Sequence, residues 1–195
     1  EFMIWGDQNE PRVFDFFLEN NFMQLVHRVL LQPANRSGDV AKQVLQTLAI
    51  IMQNISSETG TFFLFANNHV NNILEINFDF EDEEVLGYYV SLMKAISLKL
   101  NSKTSQFFIM QGPDDKLTFP LYKAAVKLAH HKEGMVRAGV RTMTLNIFSL
   151  NDPYVDTIVT STPLVNYLAD VAIYLVKNIK ILDERMHAAE QYTTS

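Results

Sequence analysis

Three stretches of this chain carry apolar residues at spacings of three and four, and the three resemble one another. Val40, Val44, Leu45, Leu48, Ile51, Met52 and Ile55 form one stripe. Val85, Tyr89, Leu92, Met93, Ile96 and Leu100 form the second, and Val136, Val140, Met143, Ile147 and Leu150 the third. Such spacing places each set on one face of an α-helix. Aligning Thr47-Leu48 with Ser91-Leu92 and Thr142-Met143 sets the copies 44 and 51 residues apart. The segments between them repeat as well. Phe16-Phe17-Leu18-Glu19-Asn20-Asn21 resembles Phe63-Leu64-Phe65-Ala66-Asn67-Asn68 at an offset of 47. A second short amphipathic helix follows each, over Phe22 to Leu31 and His69 to Ile76. Phe107 to Met110 with Phe119 to Leu128 repeats the plan, and Asp156 to Thr160 with Leu164 to Leu175 repeats it again.

The unit is therefore two short helices and a longer third. Armadillo and HEAT units run to about 40–47 residues with two or three helices, and one unit cannot bury its apolar faces alone. The expected fold is all-α: an armadillo/HEAT-like right-handed α-solenoid of about four repeats, forming one domain over 1–195. The wider second spacing is assigned to a loop, Gln111-Gly112-Pro113-Asp114-Asp115-Lys116, and Gln32 to Asp39 is a second loop. After Asp183 the pattern fades, so 184–195 is expected to fray. The opening Glu1-Phe2-Met3-Ile4-Trp5 falls in mid-pattern, as in a segment of a longer protein.

Composition narrows the function. Apolar residues at 48% exclude a disordered chain, and only 7 Gly and 6 Pro argue against a turn-rich β-sandwich. The net charge of −6 weighs against a nucleic-acid-binding solenoid, which needs a basic stripe. With no cysteine there is no disulfide, thiolate metal site or cysteine nucleophile, and a reducing compartment is expected. The sequons at Asn35 and Asn54 read as chance matches. No signal peptide or spanning segment is legible; the most apolar stretch, Val44 to Ile55, is short and broken by polar residues.

No catalytic, cofactor or metal site emerges. His130 and His131 diverge by about 100° on a helix. His27, His69 and His187 stand alone, and the acidic run over 79–84 lacks a calcium loop's glycine and ligand spacing. That run is expected to be a solvated helix start, favoured by the helix dipole. No serine elbow or phosphate-cradling glycine loop is present. The candidate partner-binding residues are Arg137 and Arg141, four apart and so on one helix face, which suit an acidic segment or carboxylates of the next repeat. Phe119, Pro120, Leu121 and Tyr122 are the others; Pro120 suits a first helical position, and the aromatics anchor the inserted loop to the core. The asparagine ladder of peptide-holding armadillo arrays is missing, since Asn146 aligns with Ile51 and Ala95.

Ile4-Trp5-Gly6-Asp7-Gln8-Asn9 and Val13-Phe14-Asp15-Phe16-Phe17-Leu18-Glu19 resemble the opening of the FPL-domain family. Val44 to Leu48, Asn54-Ile55-Ser56, Tyr88-Tyr89, Leu98 to Asn101 and Met135 to Asn146 continue the likeness across about residues 3–150, and Phe119-Pro120-Leu121 looks like the tripeptide that names the domain. The resemblance implies a protein-interaction module of a membrane-trafficking regulator, acting in endosome maturation, autophagy including mitophagy, and Golgi or vacuolar transport. It implies a cytoplasmic location, peripheral on endosomal, lysosomal or Golgi membranes. Tethering complexes, small GTPases or retromer-type coats are the implied partners. A ubiquitin-ligase role is the alternative implication; without cysteine or zinc ligands this segment would serve there only as a scaffold. The expectation is a non-enzyme without cofactors.

Overall fold

The computed structural model describes residues 1–112, 116–161 and 163–193. Eleven helices run through them: α1 (Phe2–Asn9), α2 (Pro11–Glu19), α3 (Phe22–Leu31), α4 (Gly38–Asn54), α5 (Glu58–Phe65), α6 (His69–Leu74), α7 (Glu83–Leu98), α8 (Pro120–Lys127), α9 (Gly134–Phe148), α10 (Pro153–Val159) and α11 (Asn166–Thr193). The chain is thus mostly helical. Strand among the described residues is limited to an antiparallel pair, β1 (Met110–Gln111) and β2 (Leu117–Thr118). This pair closes the inserted loop, whose residues 113–115 lie outside the described ones. Two residues per strand are too few to register as alternation in a sequence.

Local chemistry sets the boundaries. Asp82 caps α7, its Oδ1 accepting from the Glu84 and Val85 amides at 3.1 and 3.4 Å. Ser57 caps α5 by accepting from the Gly60 amide at 3.0 Å. Pro120 opens α8. The repeated asparagines now have a reason. Asn21 and Asn68 sit at positive φ immediately before α3 and α6, a left-handed conformation that asparagine tolerates better than most residues.

The three long helices pack in chain order, α4 on α7 and α7 on α9, and the short helices make a parallel series, α3 on α6 and α6 on α8. Leu45, Leu48 and Met52 from α4, Leu92, Met93 and Ile96 from α7, and Val140, Met143 and Ile147 from α9 are fully buried between them. Val40 departs from its stripe and is exposed, being at the first turn of α4. Polar ties pin the long helices at their ends. Lys42 Nζ lies 3.0 Å from Asp82 and 2.6 Å from Glu84. Lys99 Nζ donates to the Ile55 carbonyl at 2.6 Å. The acidic run is therefore more than a solvated helix start: it caps α7 and clamps α4 to it.

The chain divides into two compact units, Glu1–Ile158 and Val159–Ser195, where the sequence pattern suggests one over 1–195. The second unit is dominated by α11. Residues 184–193, expected to fray, continue that helix; they contain neither Gly nor Pro, and His187 Nδ1 is linked to the Asp183 carbonyl at 2.8 Å one turn back. Residues 162 and 194–195 lie outside the described ones.

Candidate functional site

The long helices bury one side and leave the other bare. On α4 the bare row is Thr47, Ile50 and Asn54; on α7 it is Gly87, Lys94 and Leu98, with Ser91 half-buried; on α9 it is Ala138, Leu145 and Ser149, with Thr142 half-buried. In the repeat alignment 47, 91 and 142 are equivalent, as are 50, 94 and 145. The floor of this face is made of small and hydroxyl-bearing residues. Large apolar side chains rise from it: Leu98 is 61% exposed and Leu145 63%.

The face runs into a groove at the C-terminal ends of the long helices. One depression of about 440 Å³ lies between Ser97, Leu98 and Asn101 on one side and Asn146, Ser149 and Leu150 on the other. A second, of about 450 Å³, shares Leu98, Leu100, Asn101 and Ser102 with it and extends to Phe62 and Thr61 of α5. The shared loop is tied by hydrogen bonds within itself. Asn101 Oδ1 accepts from the amides of Lys103 and Thr104, and Thr104 Oγ1 donates to the Lys99 carbonyl at 2.9 Å. Lys103 is paired with Glu58 at 2.6 Å. Asn146 Nδ2 donates to Ser97 Oγ at 3.0 Å, so this amide is committed to holding α9 against α7.

Behind the groove, the Asp7 carboxylate ties α1 to the α4–α5 junction. It accepts from the Ser56 and Ser57 amides at 2.8 and 3.2 Å and from the Ser57 hydroxyl. Burial works against its ionisation but is outweighed by the Ser57 and Ser56 hydrogen bonds, so the carboxyl sits below the usual range.

The residues singled out in the sequence fall elsewhere. Phe119, Pro120, Leu121 and Tyr122 are buried. Phe119 stacks on Phe108 and Tyr122 meets Phe148, with ring centroids 5.9 and 5.8 Å apart. The four anchor α8 in the core and are closed to a partner, which corrects their assignment as contact residues. Arg137 is half-buried, and its Nη1 donates to the carbonyls of His131 and Lys132, each at 2.7 Å. It closes the α8–α9 connection and forms no fork with Arg141, which is exposed and donates from Nε to the Arg137 carbonyl at 3.4 Å. Among the described residues no group of three His, Cys, Asp or Glu converges as a metal site would, and no helix is long and apolar enough to cross a membrane.

The comparison that decides the family covers the body of the chain: the FPL family, described as an uncharacterised conserved protein, matches residues 1–148. This chain belongs to the FPL family. Among its FPL relatives, the Drosophila melanogaster protein CLEC16A homolog is 41% identical over 94% of the chain and 17% of its own length. Human protein CLEC16A is 40% identical over 98% of the chain and 18% of its length. The Arabidopsis thaliana protein TRANSPARENT TESTA 9 is 36% identical over 91% of the chain and 21% of its length. The FPL chain thus spans about a fifth of the length of these relatives. No solved structure matches it. The match ends at Phe148, the last residue of α9, so the face and groove lie within the matched region except for Ser149 and Leu150 at their edge.

Proposed function

We propose that this FPL chain is the protein-interaction module of a membrane-trafficking regulator. The observation that carries the reading is the bare face of α4, α7 and α9, lying almost wholly inside the matched region and within a chain similar over most of its length to the CLEC16A proteins and TRANSPARENT TESTA 9. Long helices that pack in chain order above a parallel series of short helices support an armadillo/HEAT-like right-handed solenoid of about four repeats. Such an array offers a surface that ranges over several repeats. The processes served are endosome maturation, autophagy including mitophagy, and Golgi or vacuolar transport. The setting is the cytoplasmic side of endosomal, lysosomal or Golgi membranes, and the partners are tethering complexes, small GTPases or retromer-type coats.

Pull-down with the chain, paired with a cargo-degradation assay in cells carrying Leu98→Asp or Leu145→Asp in the full-length protein, tests this. Retention of a trafficking protein and slowed degradation are expected. If no such protein is retained and both variants leave traffic normal, the reading fails.

A further inference from the structure

The longest helix of the chain carries an apolar seam and leaves it uncovered. In α11, Leu168, Ala172, Leu175, Ile179, Leu182 and Met186 follow one another at alternating steps of four and three. The next step of three reaches Ala189 and completes three heptads. Alternation of this kind has a period of 3.5 and is the signature of a coiled coil. Leu175, Ile179, Leu182 and Met186 are each more than half exposed. The line opposite the seam, position f of the heptad, holds Asp170, Lys177 and Glu184, all charged and all exposed. The helix is thus dressed for solvent on one side and for another helix on the other. Most of the stability of such a helix comes from packing its apolar face, and within the chain that face is bare.

The register says which helix fits. Ala172, Ile179 and Met186 occupy position a, and Leu168, Leu175 and Leu182 position d. In the central heptad an Ile at a stands between Leu residues at d, the combination that favours two parallel strands. In a parallel pair, a residue at g meets the residue five places on at e of the other strand. When the other strand is a copy of α11, Val171 meets Val176, apolar on apolar, and Asn178 meets Asp183, amide donor on carboxylate. Asn178 has one amide hydrogen on the Tyr174 carbonyl at 2.7 Å and a second to give. Each flank is matched by its own sequence, which a helix of unrelated sequence need not do. Ile173, Tyr174 and Ile181 fall at b and c and stay outside this contact.

A lipid surface is the poorer match. Residues 166–193 hold three basic side chains against four acidic ones, and neither Trp nor Phe. Helices that lie on anionic membranes are rich in Lys and Arg on the polar face.

We propose that α11 pairs with α11 of a second copy of the chain as a parallel, in-register coiled coil, with Leu175, Ile179 and Leu182 each opposite its equivalent. The inference is independent of which proteins the face of α4, α7 and α9 receives. It adds that this face is carried twice in the assembled protein, so that a partner with two sites is held by both.

Sedimentation equilibrium of the 195-residue chain should give a dimer. Leu175→Asp should weaken association by about tenfold or more, because it buries a charge in the seam. Lys177→Glu, on the outer line, should leave association unchanged. Amide exchange in α7 should be the same in all three proteins, which shows that the body stays folded. The chain has no cysteine, so a single introduced thiol reads the register. Leu182→Cys should yield a disulfide-linked dimer on mild oxidation, since equal d positions of a parallel pair face each other, and Lys177→Cys should not. A chain that stays monomeric at every concentration reached overturns the proposal. So does a dimer that Leu175→Asp leaves intact, which puts the contact on another surface such as Phe2, Trp5 and Phe16. A dimer broken by Leu175→Asp but not crosslinked through Leu182→Cys would be antiparallel and would overturn the register. A monomer whose α11 amides become protected only on phosphatidylcholine–phosphatidylserine vesicles would overturn the second copy in favour of lipid.

Discussion

Single residues in this chain tie elements that are far apart in sequence, and their protonation states make those ties measurable. Asp7 holds the α4–α5 junction through Ser56 and Ser57, so Asp7→Asn should cost about 2 kcal/mol at pH 7 in urea unfolding, the range of charge-assisted hydrogen bonds. Its folded pKa lies below the usual 3.8, so this stability is present above that value and is lost as the pH falls through the folded pKa. The gap between wild type and variant should narrow in acid; a gap independent of pH would show that packing, not charge, is lost. His69 behaves in the opposite chemical sense. Burial and then repulsion from His27 lower its pKa below 6.5. Folding therefore favours the neutral ring, and stability should decline as the pH drops below 6.5. His69→Gln should flatten the stability profile between pH 6.5 and 5, read from urea midpoints.

At the scale of elements, the contrast between two helical glycines separates internal packing from open surface. Gly139→Val should destabilise the chain by about 2 kcal/mol, because Val90 already stands where the new side chain must go. Gly87→Ala should stabilise it by roughly 0.8–1 kcal/mol, the helix-propensity difference alone. Thermal unfolding monitored by circular dichroism reads both, and equal signs would contradict the packing described. Phe119→Ala should cost about 3–5 kcal/mol, as expected for an aromatic buried between Phe108 and the body of α8. Much of this order was legible in the sequence. The stripes through Leu48, Leu92 and Met143 are the faces buried in α4, α7 and α9, and the span Phe22 to Leu31 is α3. Other features were not legible for physical reasons. Phe107 to Met110 match the repeat's first short helix in sequence, yet Phe107 and Phe108 belong to a single 3-10 turn, Ser105–Phe108, held by the buried Asn71 donating to the Phe107 carbonyl at 2.7 Å, and Met110 starts β1. The candidate face is made by Gly87, Ser91, Ala138 and Thr142, small residues that carry no periodic signal. Ile50, Leu98 and Leu145 lie just off the apolar stripes, where single exposed hydrophobes are ordinary. Phe119 to Tyr122 stood out by their aromatic character, and that character proved to be a property of the core.

For the molecule as a whole, the proposal to be tested is that this region recognises proteins of the trafficking machinery through α4, α7 and α9. The most direct measurement is site-specific photo-crosslinking in the full-length protein inside cells. A photoreactive amino acid is placed in turn at Leu98, at Leu145 and at Leu25, the last an exposed residue of α3 outside the face. The account predicts that Leu98 and Leu145 trap the same partner, a subunit of a tethering complex, a small GTPase or a coat protein, and that Leu25 does not. Crosslinks to trafficking proteins that arise from Leu25 while Leu98 and Leu145 stay silent would contradict it.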